Sequence, residues 1–441
     1  MTGPGGWNLA GPAVPWLVGG VAVLIFGVLV SRPDVAVLGL PPLLGVVWSW
    51  SRWPAGRPTV GTRAVDQSAT GGRLRAELTV EPAPGAGLVG LRVGAPGHRP
   101  TQCLLLAEQR TLGLEMTSVR TGRRRLFRVD HRAADPAGLL TTAATSLEPV
   151  VMTVLPATRA LREVPLPFRL QGLTGPHDSR RAGDGGDLHD VAAFRPGDRL
   201  RRIDWRVTAR LNGPTVAADP TGRPGAIGEL YVRRTFATAD ATVMLVVDSR
   251  DDVGPRVSTW GDATAVDEDE ATSLDLARFA AASVARSYLE AGDRVGLEDL
   301  GRLRRPSPPA GGRPHLQRLA QQLALAAPEG EPRRRRRVPR LPSGALIVVF
   351  STFLDEDAAR LATAWRASGH RVVAVDTLPA LVTHDLPPRL ATAYRLVAMD
   401  RADRIADLAR VGVETVAWQR LAPEHDPASE LDVLARRRAR R

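Results

Sequence analysis

The sequence predicts a multidomain chain: an N-terminal transmembrane helical hairpin, an all-β sandwich-like middle domain, and a C-terminal α/β domain with a mostly parallel sheet. Three observations predict it. Two uncharged apolar runs lie within the first 51 residues, short alternating stretches fill residues 60–155, and apolar strand-like runs alternate with periodic helices after residue 236. The composition shifts give the bounds: 1–56 for the anchor, 57–158 for the β domain, 159–235 for a loop-rich segment and 236–441 for the α/β domain.

The anchor rests on residues 13–30 (AVPWLVGGVAVLIFGVLV) and 35–51 (VAVLGLPPLLGVVWSWS), neither of which holds a charge. A spanning helix needs roughly 20 apolar residues, with a workable range near 17–25. Pro41 and Pro42 would kink the second run, which a lipid-embedded helix tolerates better than a soluble one. Trp16, Trp48, Trp50 and Trp53 stand at the ends of the runs, where interfacial aromatics belong. A cleaved signal peptide would need a basic start and a small-residue cleavage site, and the sequence offers neither. Arg52, Arg57, Arg63, Arg73 and Arg75 follow the second run, and no basic residue precedes the first. The positive-inside rule then predicts a multi-pass protein of the cell membrane with its large domains in the cytoplasm.

The middle domain reads as β from Leu74–Val80, Gly87–Val93, Cys103–Leu106, Leu126–Val129 and Val150–Leu155, which alternate in polarity between Pro and Gly punctuation. Asp135-Pro136-Ala137-Gly138 marks a turn before the last strands. The α/β domain reads as strands at Ala237–Val247, Asp293–Leu297, Ala345–Phe350 and Arg371–Asp376. Between them lie helices at Leu274–Ala291, His315–Ala326 and Asp355–Ala367, and a last helix starts at Ile405–Arg410. Near-continuous apolar strands that alternate with helices imply a parallel sheet covered on both faces.

Composition excludes several function classes. The net charge is +12, yet all 59 basic residues are arginine and 47 acidic residues are interspersed among them. That is a general Arg, Ala, Gly and Pro bias rather than a basic stripe, so no nucleic-acid partner is expected. Cys103 is alone, which rules out an internal disulfide and a zinc ligand set. The histidines, among them His177, His189 and His315, show no metal spacing. Gly183–Gly186 is not a phosphate loop, because no Gly-Lys-Ser/Thr follows and the chain holds no lysine. With no evident nucleophile–base pair, no enzymatic activity, cofactor or small-molecule substrate is expected.

The most distinctive stretch is 186–210, where Arg195, Arg201, Arg202, Arg206 and Arg210 alternate with Asp198 and Asp204 around Trp205. Arginine with tryptophan is a hot-spot composition for protein interfaces. The same residues suit nucleic acid, or a clasp of Arg–Asp pairs closing a loop over the sheet.

Phe194-Arg195-Pro196-Gly197-Asp198, then Arg202-Ile203-Asp204-Trp205, then Ala209-Arg210, resembles the signature of the family called domain of unknown function fifty-eight. Phe194 stands where that family usually has tyrosine, and Leu188-His189-Asp190 stands where a Glu-Phe pair is more usual. The resemblance extends to the two apolar runs, the β-rich middle and the basic stretch Arg120–Arg128 leading to Asp135-Pro136. It implies that the α/β domain is von Willebrand factor type A-like (Rossmann-like). It also implies that the chain works with a MoxR-type AAA+ ATPase in assembling or maturing protein complexes. Arg195, Gly197, Asp198, Arg202, Asp204, Trp205 and Arg210 carry over as structural or docking positions.

Ligand sites of open α/β sheets lie at strand ends. Here that place is Asp248-Ser249-Arg250-Asp251-Asp252. In von Willebrand type A domains an Asp-x-Ser-x-Ser run there holds a divalent cation, since a hard ion needs several oxygens. Asp248 and Asp252 match two metal-ligand positions, so Mg2+ is the one conceivable ion, but Arg250 occupies a third position and degrades the site. Arg250, Asp251, Thr352 and Asp355 are therefore expected to face a partner, with Arg250 in place of the ion and pairing with a partner carboxylate. The competing readings are a metal-dependent enzyme built on Asp248, Asp252 and Asp355, and a nucleic-acid binder built on 195–210. Acidic Asp262–Glu270 and the arginine runs Arg333–Arg337 and Arg436–Arg441 read as solvated segments. The function expected from all this is that of a membrane-anchored scaffold or adaptor.

Overall fold

The computed structural model describes residues 6–66, 68–170, 175–212, 229–260, 267–302, 304–330, 335–384, 386–418 and 427–436. Most of the acidic run 262–270, Arg333 and Arg334, and the arginine run beyond Arg436 lie outside the described residues. The chain divides into two compact units, Met1–Ala157 with Val266–Ala271, and Thr158–Ala265 with Thr272–Arg441.

The first unit opens with strand β1 (Trp7–Leu9) and helices α1 (Ala13–Leu29), α2 (Pro33–Leu38) and α3 (Leu40–Ser51). The second apolar run, expected as one helix over 35–51, is interrupted at Gly39. Proline cannot sit mid-helix, so Pro41 falls in the first turn of a restarted helix, where its missing N–H costs nothing. Pro33–Ser51 taken together spans 19 residues and is long and apolar enough to cross a membrane; Ala13–Leu29 is shorter. Val18, Phe26, Leu44 and Trp50 are all exposed.

Close approach between these helices depends on glycine. A Cβ on Gly27 would lie 2.3 Å from the backbone nitrogen of Ala36, and one on Gly39 would lie 2.5 Å from the carbonyl of Gly20. Gly27→Leu is therefore expected to destabilise the chain in a neutral detergent by about 1–3 kcal/mol. Gly19→Leu, whose Cβ meets nothing within 4 Å, should leave the thermal midpoint in place. Equal midpoints for the two variants would refute the close-packed crossing.

The rest of the first unit is β. Its strands are β2 (Thr59–Ala64), β3 (Ser68–Thr70), β4 (Arg73–Glu81), β5 (Leu88–Gly94), β6 (Thr101–Leu106) and β7 (Arg110–Thr117). They continue with β8 (Gly122–Leu126), β9 (Arg128–Ala134), β10 (Leu140–Thr142), β11 (Thr145–Ser146) and β12 (Val150–Leu155). Three sheets form, ordered β1-β10-β9-β5-β6 with β11 on β9, β3-β12-β8, and β2-β4-β7. Strand β4 shows why they stack: Leu74, Ala76, Leu78 and Val80 are buried while the residues between them are exposed. Leu78 and Val80 meet Val89, Leu91 and Val129, whereas Leu74 and Ala76 meet Leu126, Met152 and Val154. The expected single strand over 126–129 is two strands, because buried Phe127 takes a left-handed conformation (φ 52°) between β8 and β9. The turn expected at Asp135–Gly138 closes through the Gly138 N–H donating to the Asp135 carbonyl. The Asp135 carboxylate accepts from the Leu140 N–H at 2.9 Å and from the Ser49 hydroxyl at 2.7 Å, tying α3 to this turn.

The second unit begins with a two-stranded antiparallel ribbon, β13 (His177–Ala193) against β14 (Tyr231–Ala239). Turn-rich composition predicts loops there. The ribbon forms instead through backbone pairing that absorbs register shifts at three places. Helix α4 (Trp205–Asn212) follows β13. The main sheet consists of β15 (Thr242–Val247), β16 (Arg294–Asp299), β17 (Ser307–Ala310), β18 (Leu346–Ser351), β19 (Arg371–Asp376) and β20 (Glu414–Ala417). Its order is β17-β16-β15-β18-β19-β20, parallel throughout except for edge strand β17. The helices are α5 (Ser273–Glu290), α6 (Arg313–Leu325), α7 (Asp357–Ala367), α8 (Pro388–Arg410) and α9 (Pro427–Arg436).

Both faces of this mixed sheet are buried. Val243, Leu245 and Phe350 pack with α5 residues Ala281 and Tyr288 on one side, and Met244, Val246 and Ile347 pack with α7 residues Leu361 and Trp365 on the other. Helix α5 starts sharply because Thr272 and Asp275 cap one another across the first turn. Helix α8 differs from expectation: Ile405–Arg410 is its end, and it starts at Pro388, where proline is suited to the first helical position.

Candidate functional site

Two clusters hold the residues that the sequence singles out. The first lies at the C-terminal ends of β15 and β18, the side of an open α/β sheet where loops carry function. Asp248 leaves β15 with its N–H on the Phe350 carbonyl, and Ser351 at the end of β18 donates its hydroxyl to Asp248 Oδ2 at 2.8 Å. Into this corner folds Arg250, whose side chain is 4% exposed.

Every N–H of that guanidinium finds an oxygen. Nε and Nη2 donate to the two oxygens of Asp248, both at 2.8 Å. Nη1 and Nη2 donate to the two oxygens of Asp355 at 2.7 and 3.0 Å, and Nη1 also reaches Asp357 Oδ2 at 3.2 Å. Two bidentate forks on one guanidinium are among the strongest hydrogen-bonded ion pairs available to a protein. Burial alone would disfavour the charge on Arg250, but Asp248 and Asp355 more than offset it and raise its pKa further above the usual arginine value. Arg250 thus fills the corner at the ends of β15 and β18 with its own positive charge. It does not face outward to a partner, because its five donors are consumed within the chain.

The other strand-end residues divide. Thr352 is buried, its carbonyl taken by Arg401 Nε at 2.7 Å, so it offers no docking surface. Phe353 adopts a left-handed conformation (φ 53°), with its carbonyl held by Arg404 at 2.7 Å. Asp355 keeps 43% of its side chain exposed. Asp252 reaches the first turn of α5, where its Oδ1 accepts the Leu274 N–H at 3.4 Å. The carboxylates expected to make a metal-dependent enzyme are therefore not gathered as predicted, and among the described residues no group of three potential ligands is placed to hold a metal ion. Asp251 is half-buried beside the cluster, and burial together with the charges of Asp248 and Asp355 pushes its carboxyl up to about 6. Sequence reasoning missed Asp357 and Ser351. The signal for Asp357 was the Asp355-Glu356-Asp357 run directly after a central strand.

The second cluster is the signature segment. Arg195-Pro196-Gly197-Asp198 is a tight turn: the Asp198 N–H donates to the Arg195 carbonyl at 3.0 Å, and the Asp198 carboxylate accepts the Arg195 N–H at 2.8 Å. Gly197 has φ 103°, which only glycine adopts freely, and Pro196 presets the position before it. Arg234 of β14 pairs with Asp198 at 3.5 Å. Asp204 caps α4, its Oδ1 accepting from Arg206 N and Val207 N, both at 3.1 Å, while Oδ2 pairs with Arg233 at 3.2 Å. Ile203 bridges to Val232, and the Tyr231 N–H donates to the Thr208 hydroxyl at 3.0 Å.

The turn at Gly197 and the pairs of Asp198 and Asp204 with Arg234 and Arg233 thus fix this segment to the ribbon. Trp205 is different. It is 67% exposed, near Leu200 at 68% and Leu211 at 60% in the same segment. Arg201, Arg206 and Arg210 are exposed and form no ion pair among the described residues, whereas Arg202 is half-buried and engaged. The segment presents apolar and cationic side chains beside a hydrogen-bonded turn and helix cap.

A search of curated proteins gives no match. Among solved structures, the PKD domain of an M14-like peptidase from Thermoplasmatales archaeon SCGC AB-540-F20 is similar over 22% of this chain and 92% of that one, at 12% identity and a TM-score of 0.16. The model for the family "Protein of unknown function DUF58" matches residues 190–387, from the end of β13 to the start of α8, and so takes in both clusters. Over residues 190–387, a little under half of its length, the chain is similar to the DUF58 family.

Proposed function

We propose that this protein is a membrane-anchored scaffold that docks a partner protein through the Trp205 segment, and that the partner is a MoxR-type AAA+ ATPase, as the family resemblance implies. The exposure of Trp205 among three arginines that form no ion pair among the described residues carries the proposal. An exposed indole is costly to maintain in water, and tryptophan with arginine dominates the energetic centres of protein interfaces. The three guanidiniums call for carboxylates on the partner.

In this reading the apolar helices form a transmembrane hairpin, and the arginines after it keep both units in the cytoplasm. The six-stranded sheet, with its strand-end acidic corner, is von Willebrand factor type A-like, and Arg250 has made it independent of metal.

The test is a tagged pull-down from detergent-solubilised native membranes, read by quantitative mass spectrometry. An AAA+ ATPase should co-purify with the wild type and fall at least tenfold in Trp205→Ala, corresponding to a hot-spot loss of about 2 kcal/mol. Arg206→Ala/Arg210→Ala should weaken capture and reduce its salt sensitivity. Undiminished capture by Trp205→Ala, or no AAA+ ATPase with the wild type, would exclude this docking surface.

A further inference from the structure

A cavity at the opposite end of the main sheet has the chemistry of an oxyanion site. It lies where β18 and β19 begin and has a volume of about 370 Å3, within the range of small-molecule pockets, about 300–1,000 Å3. Three short pieces of chain wall it: Phe168 and Arg169, Ser343 and Gly344, and the stretch from Arg366 to Arg371. Its charged lining is three arginines, Arg169, Arg366 and Arg371, with no carboxylate among the lining residues.

The walls are built structure. Ser343-Gly344 is a turn closed by the Ala345 N–H on the Pro342 carbonyl, with Gly344 at φ 71°. Ser368-Gly369 ends α7, with the Gly369 N–H on the Arg366 carbonyl and the His370 N–H on the Trp365 carbonyl. His370 Nδ1 lies 2.9 Å from the Ala345 carbonyl and stitches the two turns together.

The three arginines are not equivalent. Arg371 is consumed structurally: it forks onto Glu414 at 2.9 Å through both Nε and Nη2 and reaches the carbonyls of Leu166 and Leu434. Arg366 is held but not used up. Its Nε donates to the Gly412 carbonyl at 3.0 Å and its guanidinium lies 5.3 Å from the Phe168 ring centroid. Its two terminal nitrogens have no partner among the described residues. Arg169 has no hydrogen bond or ion pair among the described residues at all. A positioned guanidinium fork, a second free guanidinium and the Ser343 and Ser368 hydroxyls therefore share one cavity with two uncompensated positive charges.

We propose that this cavity binds a phosphate-class oxyanion. The planar fork of Arg366 matches the geometry of such an oxyanion. The two net charges match a dianion, and the volume leaves room for what the phosphate is attached to. The source is either a soluble phosphate compound or a phospholipid headgroup.

The experiment uses the full chain in a neutral maltoside detergent. Isothermal titration with inorganic phosphate and with pyrophosphate, against chloride at matched ionic strength, should give saturable binding. Arg169→Gln, which removes a side chain with no structural partner, should weaken it at least tenfold, as loss of a charge-assisted hydrogen bond implies. Arg169→Gln/Arg366→Gln should abolish it, with the thermal midpoint of unliganded Arg169→Gln unchanged. Flotation with phosphatidic acid vesicles against phosphatidylcholine vesicles separates the sources. Arginine-dependent flotation identifies the headgroup, and arginine-dependent titration without flotation identifies the soluble compound. Absence of saturable binding in both assays, or equal affinity in wild type and double variant, overturns the proposal.

Discussion

Arg250→Ala is expected to lower the stability of the α/β unit by about 3–5 kcal/mol, the usual cost of breaking a buried ion pair from one side. The size follows from what is left behind. Asp248 and Asp357 are buried and Asp355 is partly so, and all three surround the guanidinium that would be lost. Without it, two or three carboxylates face each other with no full positive charge between them but that of Arg360, 3.3 Å from Asp357, among the described ion pairs; the Ser351 hydroxyl and the Asp357 and residue-250 backbone N–H groups offset only part of the loss. Chemical unfolding at pH 7.5, followed by tryptophan fluorescence, measures the loss. A loss below about 1 kcal/mol would mean that the carboxylates are solvated and that the cluster is not a clamp.

The same variant tests whether the guanidinium stands in for an ion. Removing it vacates a corner that keeps hard oxygen donors on Asp248, Asp355, Asp357 and Ser351, the donor type that divalent cations prefer. Millimolar Mg2+ or Mn2+ should therefore restore part of the lost stability in Arg250→Ala by linkage. The wild type should respond neither to these ions nor to a chelator, because its positive charge is covalently supplied. Arg250→Lys should fall between the two, since an ammonium keeps the charge but cannot make two bidentate forks.

How far the sequence discloses this arrangement depends on the kind of signal. The β15 and β18 strands announce themselves as continuous apolar runs, and helix α5 by its period, because burial on both faces of a parallel sheet leaves little choice of residue. The position of Asp248 and Arg250 at the end of β15 was legible from the apolar run before them. The direction of Arg250 was not. Asp355 and Asp357 are separated from it by 105 and 107 residues, and only the pairing of β15 with β18 brings them to it. The ribbon of β13 and β14 was hidden for the opposite reason. Its pairing is carried by backbone and bulges, so side-chain composition reads as loop. In the signature segment, spacing alone could not separate Asp204, which caps α4, from neighbouring Trp205, which faces solvent.

Asp251 supplies the second large effect, and its sign differs from that of most carboxylates. In the folded protein its carboxyl is pushed to about 6, mainly by burial and then by Asp248 and Asp355. In the unfolded chain it titrates near the ordinary aspartate value of about 3.9. Between about pH 4 and pH 6 the folded state therefore holds the extra proton, and stability falls as pH rises through that window. Above pH 6 the ionised Asp251 carries its full penalty. A shift of this size corresponds to about 3 kcal/mol at most, and solvent access to the half-buried side chain reduces it to about 1–2 kcal/mol. Asp251→Asn should accordingly stabilise the protein at pH 7.5 by about 1–2 kcal/mol and have no effect at pH 4, where the wild-type carboxyl is already protonated in the fold. Unfolding curves of both proteins across pH 4–8 decide the matter: a pH-independent difference would show that Asp251 acts through packing. A difference that grows through pH 5–6 would show that ionising the buried carboxyl is the cost, through burial first and then through whatever negative charge of Asp248 and Asp355 Arg250 leaves unneutralised. A residual negative charge there would attract a cationic partner, which is the reverse of the outward-facing arginine that the sequence alone suggests.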